Sequence, residues 1–181
     1  MRKSESRKKA TAQRQEQIRS KASLKHAAVS KPVFVADVML GRLAKWLRIA
    51  GFDVLYSNRF TDDELVTLSR QHGRVLLSRD TRLLVRKAVK DFIFLESDDI
   101  QSQLRQVFEV TRTASLPGVL TRCLSCNETL MEVARERVRD AVPPFVFETQ
   151  THFKSCPKCG KIYWAGTHRQ SVLRTLEKLL R

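Results

Sequence analysis

No run of apolar residues in this 181-residue chain approaches the roughly 18–20 positions that a membrane-spanning helix needs. An integral helical membrane protein is therefore excluded. No secretory leader is expected either, since the charged N-terminus is not followed by an apolar stretch. We therefore expect a cytoplasmic protein, with organellar import through the basic N-terminus left open. Glycine (6) and proline (5) are too few for a fibrous or low-complexity chain. Neither G-x-G-x-x-G nor a Walker-type loop occurs, which disfavours a flavodoxin-like nucleotide or signalling domain. Acidic residues are scarce, with 19 Asp+Glu against 34 Lys+Arg and a net charge of +15. A hydrophobic fraction of 42% still supports a packed core. The length suits one domain, or one domain with a small appendage.

The charge is uneven. Residues 1–31 hold ten Lys/Arg and two acids, with Ile18, Leu24 and Val29 as the sole large apolar side chains after Met1. Such a segment has little to bury, and a disordered basic arm is expected there. Basic arms bind polyanions by releasing counterions, so nucleic acid is its expected partner. A solubilising or targeting tail is the plainer reading.

From Pro32 onward, short apolar runs alternate with helical patterns. Val33–Ala36, Phe52–Tyr56, Arg74–Ser78 and Phe92–Leu95 read as buried strands. Helices are expected over Met39–Ala50, from the Thr61-Asp62-Asp63-Glu64 capping box to His72, over Thr81–Val89, and through Ile100, Leu104, Val107 and Phe108. In the first helix, Leu40, Leu43, Ala44 and Leu47 share one side, with Arg42, Lys45 and Arg48 away from it. Four strand–helix alternations predict a parallel sheet covered by helices on both faces.

In such sheets, ligands bind beyond the carboxyl ends of the strands. Asp37, Asp62 and Asp63, Asp80, and Asp98 and Asp99 each follow a strand to that edge. Asp53 and Asp91 sit at strand beginnings and belong to the opposite edge. Crowded carboxylates repel unless a cation joins them. Mg²⁺ or Mn²⁺ accepts carboxylate, water and phosphate oxygens, so the pattern suggests metal-dependent phosphodiester chemistry. Individually, Asp62, Asp63 and Asp98 could equally be first-turn or capping acids of helices.

The stretch Asp37-Val38-Met39-Leu40-Gly41-Arg42-Leu43-Ala44-Lys45-Trp46-Leu47-Arg48, followed by Asp62-Asp63-Glu64-Leu65 and Val75-Leu76-Leu77-Ser78-Arg79-Asp80, resembles the mut-7 C-terminal family of PIN-like ribonucleases. The resemblance runs over about residues 33–168. It implies a PIN-like three-layer α/β/α fold and an Mg²⁺- or Mn²⁺-dependent ribonuclease acting on single strands. Asp37, Asp62 and Asp80 match the family's first three acids by position, and the fourth falls on Asp98 or Asp99. The family usually carries Thr where this chain has Ser78, which keeps the hydroxyl.

All four cysteines occur as Cys123-Leu-Ser-Cys126 and Cys156-Pro-Lys-Cys159-Gly160. Two C-x₂-C pairs fit tetrahedral Zn²⁺ with four thiolates, a closed and hence structural site. Disulfides or a redox pair are the alternatives, disfavoured in a cytosolic chain with no thioredoxin-like context. The intervening segment is expected to hold a short helix and a hairpin, with Pro143-Pro144 breaking any helix before Phe145-Val146-Phe147. Tyr163 and Trp164 could stack on unpaired bases or form the ribbon's own core. His168 could contact phosphate or be structural; His26, His72 and His152 suggest no role. Val172, Leu173, Leu176 and Leu180 predict a C-terminal amphipathic helix.

The expected organisation is a basic arm (1–31), a PIN-like nuclease domain (32–115), a zinc-ribbon module (116–168) and a terminal helix (169–181). The expected activity is hydrolysis of single-stranded RNA by Asp37, Asp62, Asp63, Asp80 and Asp99, with Asp37 and Asp80 as the Mg²⁺/Mn²⁺ ligands. Arg42, Arg48, Arg79, Lys161, Trp164 and His168 are the candidate RNA contacts. RNA is the expected partner, single-stranded or structured, with ribosome and tRNA among its sources. The alternative is a non-catalytic RNA- or ribosome-binding adaptor on the same fold.

Overall fold

The computed structural model describes residues 32–166 and 168–180, together with Gln13, Glu16 and Ile18. The arm expected over 1–31 otherwise lies outside the described residues. Four short strands, β1 (Phe34–Ala36), β2 (Val54–Tyr56), β3 (Val75–Ser78) and β4 (Phe92–Phe94), form a parallel sheet in the order β2-β1-β3-β4. Side chains alternate along each strand, so one sheet presents two apolar faces. Phe34, Ala36, Leu77 and Ile93 face α1 (Gly41–Ile49) and α4 (Ile100–Val110). Val35, Leu76 and Phe92 face α2 (Asp62–Gln71) and α3 (Thr81–Leu84). The expected α/β class, a parallel sheet flanked by helices, is what the chain adopts.

Local chemistry sets the element ends. Thr61 caps α2, and its hydroxyl and backbone exchange hydrogen bonds with Glu64 in a complete capping box. The helix expected from Met39 begins later, because Asp37 caps a 3-10 turn, Val38–Leu40, ahead of α1. The helix expected to reach Val89 stops at Leu84. Leu83 and Val89 are buried in the same cluster, whereas six residues of helix would turn Val89 about 240° away from Leu83. Ile18 is helical and 1% exposed, packed with Leu65, Leu76 and Leu84. Ile18, one of the few large apolar residues of that segment, is thus buried against the parallel sheet.

Beyond α4, a second sheet of three antiparallel strands forms from β5 (Met131–Val133), β6 (Phe153–Ser155) and β7 (Ile162–Trp164). Between β5 and β6 lie a 3-10 turn, Arg135–Val138, and α5 (Pro144–Thr149). Pro143 and Pro144 open α5, with Pro144 in the first turn, where a missing N–H costs nothing. Finally α6 (His168–Leu179) returns to the parallel sheet's α4 side, burying Leu176 and Leu179 in its core. Of the apolar residues expected to seat this helix, Leu176 is fully buried and Leu180 only partly so. Among the described residues, no helix is long and apolar enough to cross a membrane.

Candidate functional site

The two cysteine pairs fold into matching knuckles. In each, the residue after the second cysteine adopts φ of 70°, Asn127 in one and Gly160 in the other. Each returns its N–H to the carbonyl of the first cysteine, Cys123 or Cys156, at 2.9 Å. The four Sγ atoms lie within 4.8 Å of one another, with Cys123–Cys126 at 3.4 Å, Cys126–Cys156 at 3.3 Å and Cys123–Cys159 at 3.6 Å. A tetrahedral ion with Zn–S bonds of about 2.3 Å requires S···S edges of about 3.8 Å, so little movement separates this cluster from a metal site. All four cysteines are free thiols rather than disulfides.

Crowding these sulfurs without a cation is unfavourable. Burial, together with hydrogen bonds to Cys156 and Cys123, pushes the Cys126 thiol up to about 12. Burial also acts to raise Cys123, but the Tyr163 hydroxyl and the N–H groups of Cys126 and Ser125 draw it down to about 6. Four sulfurs this close form a set that a structural metal ion such as zinc would complete.

Polar contacts join the first knuckle to the parallel sheet. Arg48, 4% exposed, donates to the carbonyls of Val54, Leu124 and Ser125. Burial lowers its pKa below the usual guanidinium value, partly offset by the nearby Cys123 and Cys126. The expectation that Arg48 meets phosphate is therefore corrected, since all its described donors serve backbone carbonyls. Asn127 spans the same junction, accepting from Val54 N–H at 3.0 Å and donating to Asp53 Oδ1 at 2.8 Å. Asp53 also receives Arg74 at 2.6 Å, with Arg122 at 3.9 Å. Burial alone would raise Asp53, but the hydrogen bonds from Arg74 and Asn127 leave it below the usual carboxylate range.

Gly51 closes this junction. Its φ is +97°, and a Cβ there would stand 2.2 Å from the Gly118 carbonyl oxygen. Only glycine lets the end of α1 and the loop leading to Cys123 touch backbone to backbone. None of Asn127, Arg122 or Gly118 stood out in the sequence. The available signal was Asn127, which occupies the place after the second cysteine that Gly160 holds in the other pair.

The acids gather less tightly at the opposite end of the sheet. Asp37 is 4% exposed; its Oδ1 accepts Val38 N–H at 2.6 Å and its Oδ2 accepts the Ser78 hydroxyl at 2.5 Å. Ser78 Oγ in turn accepts Asp80 N–H at 2.9 Å, so one hydroxyl ties the ends of β1 and β3 together. Asp80 Oδ1 accepts Arg82 N–H at 2.7 Å, capping α3. Asp62 is exposed in the first turn of α2. Asp63 beside it pairs with Arg86. Asp99 caps α4 through Ser102, whose N–H and hydroxyl, with Arg42 nearby, hold its carboxyl below the usual range. Asp98 is exposed next to it. Among the described residues, the cysteines form the sole group of three or more metal-ligating side chains within mutual reach. The structure does not draw Asp37, Asp62, Asp80 and Asp99 into one such group.

Arg42 and Arg79 are exposed near that edge. Lys161 is exposed on the second knuckle and donates to the Ser125 hydroxyl at 2.6 Å. The two aromatic candidates part company. Tyr163 turns inward, its hydroxyl accepting Leu124 N–H at 3.1 Å and lying 3.2 Å from Cys123 Sγ. Trp164 is 38% exposed. His168 opens α6, and its side chain lies outside the described residues.

Neither curated proteins nor solved structures match this chain. The Mut7-C RNAse domain model does, over residues 32–176, which takes in the parallel sheet, both knuckles and most of α6. The chain belongs to the Mut7-C RNAse domain family.

Proposed function

We propose that the protein is a metal-dependent ribonuclease that hydrolyses phosphodiester bonds of single-stranded RNA at the carboxyl edge of its parallel sheet. The observation that carries this is Asp37. It is a buried carboxylate at the end of the first strand, held by a hydroxyl and an amide, with no cation paired to it among the described residues. A buried anion without a counter-charge is costly, and a positive ligand at Asp37 would offset that cost. Both oxygens keep lone pairs beyond those engaged, and hard oxygen donors suit Mg²⁺ or Mn²⁺. Because Mg²⁺ is usually held by one or two carboxylates plus waters and phosphate, Asp37 and Asp80 suffice without a complete acid cage.

A bound Mg²⁺ or Mn²⁺ would supply hydroxide near neutral pH and screen phosphate charge. The chain's own residues do the rest. Ser78 fixes the Asp37 carboxylate and the Asp80 backbone in one frame. Asp62, exposed at the start of α2, orients the attacking water, and Asp63 and Asp99 add negative potential at the rim. Arg42 and Arg79 bring the RNA backbone to this edge. Cleavage leaves a 5′-phosphate and a 3′-hydroxyl. Lys161, Trp164 and His168 contact RNA on the ribbon, which zinc stabilises, and the basic arm adds unspecific affinity.

The test is cleavage of end-labelled single-stranded RNA with Mg²⁺, with Mn²⁺ and with neither, using Asp37→Asn as the control. Decay that needs both the metal and Asp37 is expected. The dispersal of the acids favours one second reading, an RNA- or ribosome-binding adaptor on the same fold. Tight RNA binding by wild-type protein without decay in either metal would select it.

A further inference from the structure

A cavity of about 290 Å³ lies among the loop before the first knuckle, the three-stranded sheet and the start of α6. Its lining residues all fall between 119 and 169, so it is separate from the acids of the carboxyl edge. Val119, Leu120, Leu124 and Leu130 give it apolar walls, and Trp164 presents an indole to it. Tyr163 also lines it, but its hydroxyl is committed to the first knuckle.

The charged lining residues, Arg122, Lys154 and Arg169, are all cations, with no acid among the lining. Arg122 is occupied, donating to the carbonyls of Gly51 and Asn127. Among the described residues, Lys154 is held by a half-exposed pair with Glu132 at 3.4 Å, which solvent weakens. Arg169 is exposed, and His152 bonds Thr151 through Nδ1 at 2.8 Å. An apolar, aromatic body with a cationic rim complements a flat ring attached to phosphate. The volume is at the small end for ligand pockets and suits one base with its sugar.

We infer that this cavity binds one unstacked nucleotide of single-stranded RNA, the base against Trp164 and its phosphates against Arg169, Lys154 and His152. This rests on the reading that RNA is the substrate, and it adds an anchoring site away from the reacting phosphate. With Arg122 and Tyr163 committed within the fold and Lys154, His152 and Arg169 assigned to phosphate, recognition of the base falls to stacking on Trp164, which accepts any base.

The test uses the full zinc-loaded chain in buffer free of Mg²⁺ and Mn²⁺, with anisotropy of a labelled eight-nucleotide RNA and the four mononucleotides as competitors. Wild-type protein should bind, and the mononucleotides should compete within a few-fold of one another. Trp164→Ala should weaken binding roughly five- to 150-fold, the range of base–aromatic stacking, and Trp164→Phe should restore most of it. Arg169→Ala should lower the salt dependence of log K by about one contact. Zinc content and the melting curve confirm that each variant folds. Unchanged affinity in Trp164→Ala, or competition by one base alone, would overturn the assignment. Cleavage assayed separately keeps the two readings apart. Metal-dependent decay with Trp164→Ala affinity unchanged sinks the cavity alone, while Trp164-dependent binding without decay sinks the nuclease alone.

Discussion

The two ends of the parallel sheet hold aspartates of opposite kinds. Asp53, at the amino end of β2, meets Arg74, Asn127 and Arg122, and its charge is consumed in fastening the cysteine module to the sheet. Asp37, at the carboxyl end of β1, is more buried yet has only the Ser78 hydroxyl and an amide for company among the described residues. The first acid is answered by cations of its own chain. The second is oriented without being neutralised. What separates the two carboxylates is the counter-charge, which Asp53 has and which the cation proposed at Asp37 would supply.

The largest break in this comparison comes from the metal. Replacing Cys156 with Ser, or treating the protein with a chelator, should abolish the proposed zinc site and unfold the ribbon with a loss of several kcal/mol. Far-UV circular dichroism and zinc stoichiometry check it, with a cooperative melt equal to the parent's as the outcome that would refute a structural metal.

Next come paired Asp→Asn substitutions at the two ends. Asp37→Asn should lower cleavage by about 10²–10⁴-fold, the scale of losing an activating group, while leaving the melting temperature unchanged or raised. Asp53→Asn should leave cleavage per folded molecule near the parent's and cost about 1–3 kcal/mol, because Arg74 and Arg122 lose their carboxylate. A fall in stability for Asp37→Asn and none for Asp53→Asn would reverse the contrast.

The pH dependence sharpens the same point. The folded-state pKa of Asp53 is depressed, so its contribution is present above the unfolded value of about 3.9 and is lost as pH falls through the folded value. Urea melts between pH 6 and pH 2 should show a shallower acid decline in Asp53→Asn than in the parent. The smallest effect is expected at Lys161, whose described hydrogen-bond partner is the Ser125 hydroxyl. Lys161→Ala should leave stability alone and reduce the salt slope of RNA binding by about one.

Much of this was written locally. The strand runs that begin at Val33, Phe52, Arg74 and Phe92, the Thr61–Glu64 capping box and the cysteine spacing depend on neighbours a few residues away. Periodicity therefore disclosed the parallel sheet and the paired knuckles. Arg48 shows where that reasoning stops. On the helical pattern it lies off the apolar stripe, yet in the fold its guanidinium reaches carbonyls 76 and 77 residues later in the chain. Burial of a long cation depends on what docks above it, and α1 carries no signal of the knuckle that does.

Sequence by itself determined the order of strands and helices along the chain, the identity of the thiolate set and which acids end strands, because these follow from side-chain periodicity and ligand spacing. The tertiary structure decided which charges are spent. It brought Arg74, Asn127 and Arg122 to Asp53 and gave Asp37 a hydroxyl. It turned Tyr163 inward while leaving Trp164 at the surface. Those outcomes depend on contacts between segments tens of residues apart, where hydrogen-bond geometry and desolvation, not local propensity, set the energy.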